Sequence, residues 1–114
     1  MEVILDNEVF QIGNMIINCG EHLLTANGSE VRLDRVEFEV LCLLAANAGQ
    51  IVRITDILHA IWGPDYLEEN WYVHNAISSM RKKLSTAAPE VRNRIVNVYG
   101  MGYVLRPDDV PEKL

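Results

Sequence analysis

Between positions 74 and 82 stand His74, Asn75, Ser78, Ser79, Arg81 and Lys82, side chains that all make directional hydrogen bonds and two of which are cationic. An amide offers a donor and an acceptor side by side, a hydroxyl serves as either, and guanidinium and ammonium groups donate while carrying charge. Through the same stretch Val73, Ile77, Met80 and Leu84 recur at intervals of four, three and four, the spacing of one helix face. That stripe is predicted to be buried. The polar side has no apolar anchor, so it faces solvent or a polar partner. Its chemistry is recognition through hydrogen bonds and charge.

Catalytic arrangements find less support. Glu37 and Glu39 lie two positions apart and share a helical face poorly, so capping and solvation account for them. His22, His59 and His74 are scattered, with no second ligand at metal spacing. Cys19 lies in a polar turn context and Cys42 inside an apolar run, which supports neither a disulfide framework nor a zinc cluster. Gly100 and Gly102 are explained by a tight turn, because the strand-turn-helix frame of a phosphate loop is missing around them. Nor is there a nucleophile elbow or a Cys-His pairing signal. No catalytic residue, metal or cofactor is expected, and the chain does not read as an enzyme.

The 114 residues hold 10 Lys and Arg against 16 Asp and Glu, a formal net charge of −6. Alone, that figure argues against a polyanionic partner. Its distribution argues otherwise. Residues 1–70 carry three Arg and twelve acids, whereas residues 71–106 carry Arg81, Lys82, Lys83, Arg92, Arg94 and Arg106 against Glu90 alone. Such asymmetry orients a molecule in the field of a polyanion; the alternative is a run of solvated charges. With 49% apolar and 23% charged residues the chain suits one compact domain. Its longest apolar run, Val40 to Ala46, is far short of the ~20 residues that cross a bilayer. Met1 to Asp6 lacks the positive flank of a secretory signal, so a cytoplasmic chain is expected.

Four sets of elements must position the polar face. Residues 9–33 read as short strands broken at Gly13-Asn14, Cys19-Gly20 and Asn27-Gly28. Asn-Gly favours a type I′ turn, which pairs Leu23-Leu24-Thr25 with Val31-Arg32-Leu33. Asp34 and Glu37 have the spacing of a capping box and open a helix that stops near Asn47. After an extended Gln50-Ile51-Val52, a second helix runs from Ile54 to Trp62 and closes at Gly63-Pro64. Asn70 is a plausible cap for the third helix, over residues 71–84. Beyond it, Arg94 to Val98 and Tyr103 to Leu105 form a hairpin across Tyr99-Gly100-Met101-Gly102.

Four strings stand in an order and spacing that resemble the OmpR/PhoB-type DNA-binding domain of bacterial transcription regulators. They are the run from Leu33 to Leu41, Ile61-Trp62-Gly63, Met80-Arg81-Lys82-Lys83-Leu84 and Val98-Tyr99-Gly100-Met101-Gly102-Tyr103. The resemblance covers about residues 9–106, leaving 1–8 as an N-terminal segment and 107–114 as a polar tail. It implies an α+β winged helix-turn-helix: an N-terminal four-stranded antiparallel sheet, three helices and a C-terminal β-hairpin wing. It also implies that the third helix enters the major groove of double-stranded DNA and the wing reaches the adjacent minor groove, with pairs of domains on repeated DNA sites. The loop from Gly63 to Asn70 is where such domains often contact RNA polymerase, which makes Asp65, Tyr66, Glu68, Glu69 and Trp71 candidates for that or another partner contact.

On this resemblance His74, Asn75, Ser78, Ser79 and Lys82 face the major groove. Asn pairs bidentately with adenine, and Lys or Arg with guanine. Arg81, Lys83, Arg92 and Arg94 are placed to reach phosphates, and Asn97, Tyr99 and Met101 belong to the wing. Departures from the family pattern are Ser78 and Ser79, where basic residues are common, and Tyr99, where an Arg is common. Arg53 stands where a Ser or Thr usually caps the second helix, a difference expected to bear on stability. Tyr99 either enters the minor groove in place of the Arg or simply covers the hairpin. Four to five phosphate contacts would give a salt slope of about −4. At this length the chain has no room for the receiver domain or membrane anchor of many relatives. A second reading keeps the fold but uses Trp71, Tyr72 and the acidic loop to bind a protein.

Overall fold

The computed structural model describes residues 8–66, 68–87 and 89–107. The expected N-terminal segment and polar tail therefore lie outside the described residues, apart from Glu8 and Pro107. Strands β1 (Val9–Ile12), β2 (Met15–Asn18), β3 (Leu23–Ala26) and β4 (Ser29–Glu30) pair in that order as an antiparallel sheet. Alternation turns Ile12, Met15, Ile17, Leu24 and Ala26 into the core and leaves Val9 and Ile16 outside. Asn27 (φ 54) and Gly28 (φ 83) make the type I′ turn. The hairpin is shorter than expected. Val31 still donates to the Leu24 carbonyl at 2.8 Å, but β4 has only two residues, and Arg32 and Leu33 leave the ladder to deliver Asp34 to the next helix.

Helix α1 (Arg35–Ala46) opens on the anticipated capping box. Glu37 N–H donates to Asp34 Oδ1 at 2.8 Å, and Asp34 N–H donates to Glu37 Oε1 at 3.0 Å. Solvation does not account for Glu37, however, because the residue is 3% exposed. Cys19 is buried too, despite its polar neighbours, as is Cys42 of α1, and both thiols are free.

A two-residue strand, β5 (Val52–Arg53), leads into α2 (Ile54–Trp62), and Arg53 makes no side-chain cap. Helix α3 (Trp71–Ala87) continues past Leu84 because neither Gly nor Pro intervenes before Pro89 and Ser85 Oγ ties back to the Arg81 carbonyl at 2.7 Å. A single-turn α4 (Pro89–Arg92) then redirects the chain into β6 (Ile95–Val98) and β7 (Gly102–Leu105). The strands order β5-β7-β6, so the wing hairpin is anchored on a third strand. Here Gly102 has a role the turn does not explain. Gly100 sits in the turn at φ 74, but a Cβ on Gly102 would lie 2.0 Å from the Val52 carbonyl oxygen. The close approach of β5 is what demands glycine there. Leu41 and Leu44 of α1, Ile57 and Leu58 of α2, Ile77, Met80 and Leu84 of α3 and Leu105 of β7 are all at most 1% exposed and form the core that holds α3 in place.

Candidate nucleic-acid interface

Helix α3 buries Val73, Ile77, Met80 and Leu84 and turns Trp71, Asn75, Ser78 and Lys82 outward. Offsets of four, three and four keep those outward residues on one face. Among the described residues Asn75, Ser78 and Lys82 have no hydrogen-bond or ion-pair partner, so their polar groups are available to a ligand.

The two flanks of α3 are occupied. On one, Lys83 Nζ meets Glu37 Oε1 at 2.7 Å, with the Ser79 hydroxyl on the same side of the helix. Burial would raise the Glu37 carboxyl, but the bonds from Lys83 and the Asp34 N–H outweigh it and hold the group below its ordinary value. On the other flank His74 Nδ1 lies 2.6 Å from the Tyr103 hydroxyl, and Arg81 Nη2 donates to the Ile95 carbonyl with its guanidinium 5.8 Å from the Tyr103 ring centroid. Burial lowers the Arg81 pKa and raises that of Tyr103. One flank thus fastens α3 to α1 and the other fastens it to the wing.

Within the domain, then, Lys83 meets the Glu37 carboxylate and His74 and Arg81 meet the wing, while the side chains of Asn75, Ser78 and Lys82 face outward without such a contact. Arg94 is also engaged within the domain. Its Nη1 donates to the Pro107 carbonyl at 2.6 Å and to the Arg106 carbonyl at 3.4 Å, and the guanidinium lies against Gly13 in the β1–β2 turn. Arg92 is exposed and bonds the Asn93 side chain at 3.2 Å. Together with Arg81, Asn93, Ile95, Val96 and Asn97 it lines a groove of about 270 Å³ between the end of α3 and the wing.

At the wing tip Tyr99 is 97% exposed and Met101 52%, with Asn97 also open to solvent. Residues 95–105 contain no Lys or Arg. A cation does stand beside the hairpin, one that sequence reasoning assigned to stability alone: exposed Arg53 of β5 pairs with Gly102 in the ladder. Its only sequence signal was charge in an extended dipeptide before a helix, which does not reveal the pairing with β7.

In the loop before α3, Asp65, Glu68 and Glu69 are exposed and Tyr66 is half-buried. Tyr66 packs edge-on to Tyr72 at 5.6 Å, Trp62 leans on Tyr72 at 5.7 Å, and Trp71 stacks on it at 4.0 Å. Trp62 is therefore a packing residue. Asn70 does not cap with its side chain, whose oxygen is buried without a partner; its backbone carbonyl accepts from Val73 and His74 instead, at 3.0 and 3.2 Å.

Residues 28–105 match the family model described as "Transcriptional regulatory protein, C terminal". The chain belongs to this family. The heme response regulator HssR of Staphylococcus epidermidis is 37% identical to this chain over 98 residues, 86% of the chain and 42% of HssR. The chain thus spans well under half the length of that curated relative. The fold is similar to the DNA-binding domain of Klebsiella pneumoniae RstA, solved in complex with the RstA box, at a TM-score of 0.78 and 32% identity over 89% of this chain and 99% of that one. It is also similar to the response regulator DrrB, a Thermotoga maritima OmpR/PhoB homologue, at a TM-score of 0.71 and 27% identity over 86% of this chain and 44% of that one. The winged-helix architecture of this regulatory domain is therefore the expected one. No helix among its described residues is long and apolar enough to cross a membrane.

Proposed function

We propose that this domain binds double-stranded DNA sequence-specifically within a bacterial transcription regulator, acting by binding rather than by turnover. The observation that carries the reading is the outward stripe of Asn75, Ser78 and Lys82, unpartnered on a helix braced along both flanks. An α-helix fits the major groove of B-form DNA, where Asn75 suits adenine, Lys82 suits guanine and Ser78 suits either. Arg92, Arg53 and the outer part of Arg81 neutralise phosphates, and Tyr99 and Met101 bring the wing to the adjacent minor groove. The complex of the RstA domain with its box supports this reading, because the same fold there holds DNA. Pairing on repeated sites, action in the cytoplasm and contact of Asp65, Tyr66, Glu68 and Glu69 with RNA polymerase belong to the same proposal.

Selection of bound fragments from randomised duplex DNA tests it. A recurrent motif is expected, with Asn75→Ala and Lys82→Ala each weakening its binding about tenfold or more. If no motif emerges and both variants bind as the parent does, the face serves a protein partner instead.

A further inference from the structure

Trp71 is the one large apolar side chain on the outward stripe of α3. It is 55% exposed at the first helical residue, four, seven and eleven positions before Asn75, Ser78 and Lys82. Its ring orientation is set by the stack on Tyr72, with an interplanar angle of 23°, and Tyr72 is itself held by Trp62 and Tyr66. An aromatic fixed in this way loses little freedom when something covers its open side. No Lys or Arg occurs from residue 54 to residue 80, and exposed Glu68 and Glu69 precede the helix, so this end of α3 gains nothing from phosphate contacts through basic side chains. The half-exposed Trp71 ring offers apolar contact there instead.

The first residues of a recognition helix are those that approach base edges. On the major-groove edge the feature that an apolar side chain complements is the 5-methyl group of thymine. We infer that Trp71 is a specificity-determining residue that packs its ring on a thymine methyl group, next to the base read by Asn75. This rests on α3 being the DNA-reading helix, and it assigns Trp71 to the nucleic acid and not to a protein docked on the loop.

The test uses the full chain and a duplex carrying its selected motif, with each thymine replaced in turn by deoxyuridine, which removes only the methyl group. One replacement should weaken binding about fourfold, the factor expected for one buried methyl. Trp71→Ala should weaken binding to the thymine duplex and make that replacement silent, while Trp71→Phe should keep part of the discrimination. Unchanged thermal unfolding of both variants separates the effect from misfolding. Indifference of the parent to every replacement overturns the inference, as does full uracil sensitivity in Trp71→Ala. If the motif is bound and Lys82→Ala weakens it while uracil has no effect, the thymine contact alone is wrong. Absence of any selected motif removes the DNA reading and this inference with it.

Discussion

Replacing Lys83 by Met separates a structural cation from a phosphate-binding one. Its ammonium lies 2.7 Å from a carboxylate that is 3% exposed, while the Lys side chain itself is 41% exposed. Removing one partner of a fully buried pair costs about 3–5 kcal/mol. Here the exposed Lys is partly screened by water, and the Glu37 carboxylate retains the Asp34 N–H at 3.0 Å. A loss of about 1.5 kcal/mol is expected at pH 7, lowering the melting temperature by roughly 5–9 °C. The pair also imposes a pH dependence. Because the folded Glu37 carboxyl lies below its ordinary value of 4.5, its contribution is complete above that value and disappears as pH falls through the lowered folded one. Urea unfolding of parent and Lys83→Met should therefore differ at pH 7 and converge in acid. Titration with the selected duplex at several salt concentrations should give the same slope for both proteins. Unchanged stability, combined with a slope shallower by about 0.9, would mean that Lys83 sits on a phosphate and that the pairing with Glu37 is immaterial.

Gly102→Ala must push β5 away from β7, because its Cβ would meet the Val52 carbonyl oxygen at 2.0 Å; chemical denaturation should show a loss of about 2–3 kcal/mol. Tyr103→Phe removes the hydroxyl bonded to His74 and should cost about 1 kcal/mol by the same measurement, with weaker DNA binding as the wing loosens. With Lys83 and Arg94 engaged inside the domain, about three phosphate contacts remain, from Arg53, Arg81 and Arg92. The logarithm of affinity should fall with that of salt at a slope near −3, and a slope of −5 or steeper would show that the engaged cations are released on binding.

Local signals in the chain were enough to specify the parts. The capping box of Asp34 and Glu37, the Asn27-Gly28 turn and the buried spacing of Val73, Ile77, Met80 and Leu84 each act within a few residues, so they can be read without knowing what lies across the molecule. The outward positions of Asn75, Ser78 and Lys82 follow from the same periodicity. Their freedom from other partners does not. Lys83 finds Glu37 across 46 residues and His74 finds Tyr103 across 29, so only folding decided which polar side chains of α3 would be used inside the protein. Gly102 looked like a turn residue until β5 was seen beside it, and Arg94 looked like a wing cation until its guanidinium was seen against the β1–β2 turn. Helical and strand periodicities state which side of an element is apolar. They leave open which neighbour covers each flank, and that neighbour determines whether a cation remains available to DNA or is neutralised within the domain.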